Sequence, residues 1–78
     1  MDAKTVRETM IRPKLIESFG ATLSNGLITG AIAAGLAGKT EKEKLELMVN
    51  RICRDPTVVR MWGEAGAERQ RKAWLTLL

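Results

Sequence analysis

The spacing of apolar residues is most regular in the middle of the chain. Thr40 and Glu43 form the pattern of a capping box, in which each side chain bonds the backbone amide of the other residue. Four large apolar residues then follow at the i, i+3, i+4 and i+7 positions of one helix face: Leu45, Met48, Val49 and Ile52. This pattern predicts an amphipathic helix over about 41–54.

A second helix is predicted directly after the first. Asp55 is a typical N-cap residue, and Pro56 suits the first helical position because its missing amide would be unpaired there. A helix over about 56–64 would direct three side chains inward, those of Val58, Val59 and Trp62, and would end near Gly63 or Gly66. Because residues 57–59 are all β-branched, a strand over 57–62 is the alternative.

The end of the chain predicts another amphipathic helix, over about 67–76. Its apolar face carries Ala67, Trp74, Leu75 and Leu78, and its polar face carries Glu68, Arg69, Arg71 and Lys72.

Thr5 and Glu8 give the chain a second capping-box pattern near its start. The helix that they open meets Pro13, which has no amide hydrogen and disfavours helical geometry at the preceding residue. Either the helix kinks there, or Pro13 begins a new helix that runs to Phe19 with Gly20 as its C-terminal cap.

Residues 18–38 contain no charged side chain, and small residues dominate them. Asn25 is a candidate N-cap and Gly38 a candidate C-terminal cap, so the sequence predicts a helix over about 26–37. Its smooth flank consists of Gly26, Gly30 and Ala34, which recur every four residues, and its bulky flank consists of Ile28, Ile32 and Leu36. A helix with no polar face is expected to be buried.

The predicted fold is therefore a single all-α domain over 1–78, with four to five short helices packed around this central Gly/Ala-rich helix. Covering that helix completely needs nearly every apolar residue of the other helices. A homodimer that pairs the smooth flanks about a two-fold axis would complete the burial. The predicted packing or dimer interface is Gly26, Gly30, Ala34, Ile28, Ile32 and Leu36.

Composition excludes several classes of function. The chain has 78 residues, no histidine and one cysteine, which excludes a disulfide framework, a structural zinc site and histidine-dependent catalysis. No pair of carboxylates forms a credible active site, so we expect no enzyme activity, cofactor or metal. The single cysteine, Cys53, fits a buried structural thiol, and with no visible secretion signal it favours the cytoplasm.

Residues 33–40 satisfy a relaxed phosphate-loop pattern, with alanine in place of the first glycine. Gly38, Lys39 and Thr40 would then form an anion site at a helix N-terminus. The remaining chain is too short to supply the parallel sheet of a nucleotidase. Alternatively, Gly38 caps one helix and Thr40 caps the next.

Net charge is +4, from 13 basic and 9 acidic side chains. Six basic residues could contact nucleic acid: Arg51, Arg54, Arg60, Arg69, Arg71 and Lys72. Acidic residues alternate with them, which is typical of solvated helix faces.

The sequence favours a small non-catalytic protein-binding or assembly module, such as an adaptor or accessory subunit, that self-associates. Trp62 and Trp74 are core anchors or hot spots for a protein partner. One alternative is a basic regulator that binds nucleic acid. Another is a membrane-associated protein anchored through residues 18–38, which small polar residues make less favourable.

Overall fold

A computed structural model describes residues 2–33 and 35–77, and these residues form helices and their connections, with no strand among them. These residues fold as four helices, because the first three helical elements are continuous. In order, the elements are α1 (Ala3–Val6), a π-helical turn (Arg7–Ile11), α2 (Arg12–Phe19), α3 (Ala21–Ile32), α4 (Glu41–Cys53) and α5 (Pro56–Leu75).

The first helix begins earlier than the sequence predicts. Asp2 is its N-cap, and the Asp2 carboxylate accepts a hydrogen bond of 2.7 Å from the Thr5 amide. The capping box predicted at Thr5 and Glu8 is therefore wrong. Aspartate is a stronger N-cap than threonine, and the carboxylate of Glu8 instead pairs with Arg7 and Arg12.

A π-helical turn carries the helix through Pro13. The Arg12 amide bonds the Arg7 carbonyl, five residues back, and Pro13 lies in the first turn of α2, where its missing amide does little harm. The helix thus continues past the proline by widening one turn. It ends at Phe19, and Gly20, with φ 82° and ψ 167°, is the C-cap as predicted.

Helix α3 lies five residues nearer the N-terminus than the predicted 26–37. Gly20 ends α2 and also precedes α3, so α3 begins without a side-chain cap and Asn25 is inside it. The Ser24 hydroxyl donates back to the Gly20 carbonyl at 2.6 Å. The helix ends at Ile32, before Gly35 (φ 89°), so an earlier glycine than Gly38 ends it.

The starts of α4 and α5 confirm the predicted caps. Thr40 and Glu43 form both hydrogen bonds of the capping box, and Asp55 caps α5 by accepting from the Thr57 amide at 2.8 Å. Residues 57–62 are helical, so the alternative strand is wrong. The predicted break occurs at Gly63, where φ 77° and ψ 160° bend α5. The helix resumes at once, earlier than the predicted start at Ala67.

Helix α4 packs against α1, α3 and α5, while α3 packs against α2 and α4. The predicted apolar face of α4 is buried, and apolar residues of α1, α2, α3 and α5 complete the core. The radius of gyration of 11.5 Å is that of a compact chain of this length. Only one face of α3 packs into the core, so the predicted central position of the Gly/Ala-rich helix, with its burial completed by a second copy, stays a prediction.

Candidate functional site

An open groove runs beside the glycines of α3, and we call it the α3 groove. Its volume is about 420 Å³. One wall comes from α3, and the other comes from the end of α4 and the start of α5. The lining residues are Thr22, Leu23, Gly26, Leu27, Gly30, Arg51, Ile52, Asp55 and Thr57.

The glycine flank of α3 is uncovered within the chain. Gly26 is exposed and Gly30 is half-buried, and a methyl group built on either one would meet no other atom within 4 Å. Leu23, beside them, is 47% exposed. The opposite face of α3 packs into the core through Ser24, Ile28 and Ala31.

The structure changes the extent of the predicted interface. Ile28 is buried and Ile32 is half-buried, but Leu36 follows the end of the helix and lies in the loop. Ala34 lies outside the described residues. The smooth flank on α3 therefore consists of two glycines, Gly26 and Gly30. Sequence periodicity did not predict the wall that α4 and α5 form. The available signal was the four-residue spacing of Arg51 and Asp55, near the junction of these two helices.

Charged groups of both signs lie at the edge of the α3 groove. Arg51 is exposed and forms no ion pair with any residue in 2–33 or 35–77. Asp55 is half-buried, and one of its carboxylate oxygens accepts from the Thr57 amide. The groove thus presents one cation and one anion beside an apolar floor.

The three aromatic residues form one cluster. Trp62 lies between the other two, with ring centroids 5.6 Å from Phe19 and 6.1 Å from Trp74. Trp74 is only 3% exposed, so it is a core anchor. Trp62 is half-buried, its indole N–H donates to the Ser18 hydroxyl at 3.0 Å, and the Lys14 ammonium lies 5.9 Å from its ring. Of the two tryptophans, Trp62 is the one that reaches the surface.

The six basic residues do not form a single patch along α5. Arg69 and Arg71 are two residues apart on a helix, about 200° around its axis. Arg69 lines a groove with Lys14 and Trp62, whereas Arg71 pairs with Glu68 and donates to Asn50 on α4. The other basic residues are exposed, and two of them share a concavity at the corner between α4 and α5: Arg51 and Arg54.

The start of α4 is occupied by its own side chains. The Thr40 amide donates to the Glu43 carboxylate at 3.0 Å, and the Glu43 amide donates to the Thr40 hydroxyl at 3.2 Å. The bond from the Thr40 amide lowers the pKa of Glu43, which keeps the carboxylate charged at this helix end. This geometry favours the capping interpretation of residues 38–40 over an anion site.

Cys53 is buried at the end of α4 and is 5% exposed. Burial raises the pKa of its thiol to about 11, and the nearby Arg71 lowers it only in part. At neutral pH the thiol is protonated and unreactive, which fits a structural cysteine.

The uncharged segment 18–38 is not one continuous helix, because Gly20 interrupts it and α3 ends at Ile32. Among the described residues, every helix is too short or too polar to cross a bilayer.

No protein-family model matches the chain, and comparisons with curated proteins and with solved structures also give no match.

Proposed function

We propose that the protein is a non-catalytic, helical protein-binding module that self-associates, with two copies packing their α3 grooves against each other. The observation that carries the proposal is the uncovered pair Gly26 and Gly30 beside the exposed Leu23. Glycines at four-residue spacing let two helix backbones approach closely, so that dispersion contacts form without large side chains.

The charges at the edge of the groove favour a second copy as the occupant. A two-fold interface brings the same surface of each subunit together, so residue i of one copy meets residue j of the other, and the reverse. A groove that carries both Arg51 and Asp55 is complementary to itself, because each cation can face the anion of the other copy. A groove of one sign would repel its own copy.

The accessible surface of one copy is large enough for a two-fold interface. It is 4700 Å². A compact monomer of 8.6 kDa is expected to expose about the same area, so one copy is as compact as an ordinary globular chain of this mass. A standard interface would bury about 800 Å² per copy, roughly one-sixth of this surface.

Two matched substitutions on α3 test the proposal. Gly30→Gln places a polar side chain inside the groove, and Thr29→Gln places the same side chain on an exposed position that does not line it. We expect sedimentation velocity to show concentration-dependent dimers for the wild type and for Thr29→Gln, and monomers for Gly30→Gln. The monomer of Gly30→Gln should be at least as stable in urea as the wild-type monomer. Glutamine has a higher helix propensity than glycine, and a Cβ at this position meets no neighbour within 4 Å.

Two results would refute the proposal. A wild-type protein that stays monomeric at about 0.5 mM, well above the micromolar range of specific association, removes self-association. Dimers that form equally in Gly30→Gln and Thr29→Gln place the interface elsewhere and remove the α3 groove from it.

A further inference from the structure

A second groove lies on the other side of α5, and we call it the Trp62 groove. Its volume is about 410 Å³. Lys14 of α2 forms one wall, and successive turns of α5 form the other wall and the floor. Trp62 precedes the bend at Gly63, and the other lining residues of α5 follow it at the spacing of one helix face: Gly66, Arg69, Gln70 and Ala73. The Trp62 groove and the α3 groove share no lining residue.

The charged residues that line the Trp62 groove are all basic. Its two charged lining residues are Lys14 and Arg69, and no acidic residue lines it. Within the described ranges 2–33 and 35–77, neither cation forms an ion pair, although four other basic residues do so. Two cations on facing helices, without a carboxylate between them, make a local field that favours a negatively charged ligand.

The floor between the cations is apolar. The half-buried Trp62 lines the groove, and Gly66 adds no side chain beside it; a methyl group on Gly66 would be in van der Waals contact with the Trp62 Cβ, at 3.5 Å. Gln70 adds an amide that can donate to or accept from a peptide backbone. A ligand that fits this groove carries carboxylates on both sides of an apolar group.

We infer that the Trp62 groove binds a short acidic segment of a partner protein, with carboxylates on Lys14 and Arg69 and an apolar side chain against Trp62. The aromatic ring gives the segment a partly desolvated anchor, and the two cations fix its position. This inference does not depend on self-association, since the two grooves have no residue in common.

Nucleic acid fits this groove less well. Base stacking needs an exposed ring face about as large as the base, whereas an aliphatic side chain can contact the smaller exposed part of Trp62, which is half-buried against Phe19 and Trp74 with the Lys14 ammonium near its ring. A phosphate backbone also needs a continuous line of cations, but Arg71 lies on the opposite face of α5 from Arg69 and is paired with Glu68. A short peptide segment with a few carboxylates therefore matches two cations better than a polyanion such as nucleic acid does.

The test is a titration with the blocked pentapeptide Glu-Glu-Leu-Glu-Glu, with its Gln-Gln-Leu-Gln-Gln counterpart as the neutral probe. Tryptophan fluorescence reports binding, because Trp62 lines the groove and Trp74 is buried next to it. The variants are Lys14→Gln and Arg69→Gln. The control is Arg60→Gln, which removes the same charge from an exposed position on α5 outside the groove.

We expect the acidic peptide to bind and the neutral peptide to bind at least ten-fold more weakly. Each groove variant should weaken binding by about two- to five-fold, as for exposed charge pairs, and Arg60→Gln should change it by less than two-fold. Gly30→Gln should bind like the wild type, which separates this site from the α3 groove.

Three outcomes would overturn the inference. The first is no fluorescence change with 5 mM acidic peptide. The second is an equal loss of affinity in Arg60→Gln and the groove variants, since attraction would then come from net charge alone. The third is tighter binding of a dodecamer of deoxythymidine that depends on both Lys14 and Arg69, which would make the groove a nucleic-acid surface.

Discussion

Burial controls the chemistry of the single cysteine. Arg51 and Arg54 flank Cys53 in the sequence, and basic neighbours alone would suggest a reactive thiolate. The side chain instead points into the core, where loss of water raises the pKa of the Cys53 thiol to about 11. The cation that lowers the pKa of Cys53 in part is Arg71, from α5, and that guanidinium pairs with Glu68.

The Cys53 thiol should therefore be unreactive in the native protein. At pH 8 a disulfide reagent such as dithionitrobenzoate should modify Cys53 far more slowly in buffer than in 6 M guanidinium. Because the unfolded thiol titrates near 9.0 and the folded one near 11, the native state holds more protons between these values. Stability should be unaffected below about pH 9 and fall as the pH rises through 11.

A Cys53→Ala variant separates this effect from lysine titration, since its stability should decline less between pH 9 and 11. Rapid modification in native buffer would contradict the structural role.

Two glycines interrupt helical segments of this chain, and the residues that precede them are in contact. Gly20 separates α2 from α3, and Gly63 bends α5, and both adopt positive φ with ψ near 160°. That region is accessible essentially to glycine alone. The residues before the two breaks are in contact, since the Trp62 indole bonds Ser18 and its ring packs on Phe19.

Alanine should have opposite effects at the two glycines of α5. Gly63→Ala should destabilise the protein by about 1–3 kcal/mol, because alanine is strained at this φ and ψ although nothing lies within 4 Å of its Cβ. Gly66→Ala should stabilise it by about 0.5–1 kcal/mol, since Gly66 is helical and the new methyl makes an ordinary contact with Trp62. Urea unfolding measures both; similar changes at the two sites would show that the bend at Gly63 is not held in place.

Hydrogen bonds and ion pairs of glutamate carboxylates help to hold the whole molecule together. Glu41 is the clearest case, because its carboxylate accepts from the Ala3 amide at 2.9 Å and pairs with Lys44 at 2.9 Å, so it links α1 to α4. The bond from Lys44 and the bond from the Ala3 amide lower the pKa of Glu41 below its ordinary value of 4.5. Hydrogen bonds from the guanidinium groups of Arg12 and Arg7 lower the pKa of Glu8 in the same way.

Acid should therefore unfold the protein more readily than neutral solution. The unfolded carboxylates protonate near 4.5 and the folded ones at lower pH, so the unfolded state binds more protons in this window. Stability should be constant above about pH 5.5 and fall as the pH drops through the lowered values. Urea midpoints from pH 2.5 to 7 measure the trend.

Glu41→Gln should lose less stability than the wild type over that range, because glutamine keeps an acceptor for the Ala3 amide but does not titrate. Glu17→Gln, on an exposed position of α2, is the matched control. If both variants follow the wild type, the link between α1 and α4 has no electrostatic component.

Elements whose ends are fixed by capping side chains or by a glycine could be predicted from the sequence alone. Thr40 with Glu43, and Asp55 with Pro56, fix the starts of α4 and α5 through hydrogen bonds to their own backbone, and Gly63 permits a bend that other residues resist. The apolar face of α4 also followed from its spacing. Such features depend on neighbours within one or two helical turns, so periodicity and capping rules are sufficient to find them.

Packing between helices fixed the features that depend on distant residues. Segment 18–38 offers several glycines and an N-cap at Asn25, so its local preferences allow more than one helix span, and α3 forms over Ala21–Ile32, where it packs on α2 and α4. The same packing left Gly26 and Gly30 uncovered, buried Cys53, and brought Lys14 to Trp62 across 48 positions of sequence. Surfaces of this kind are set by how helices dock, and spacing along one helix does not encode which neighbour covers it.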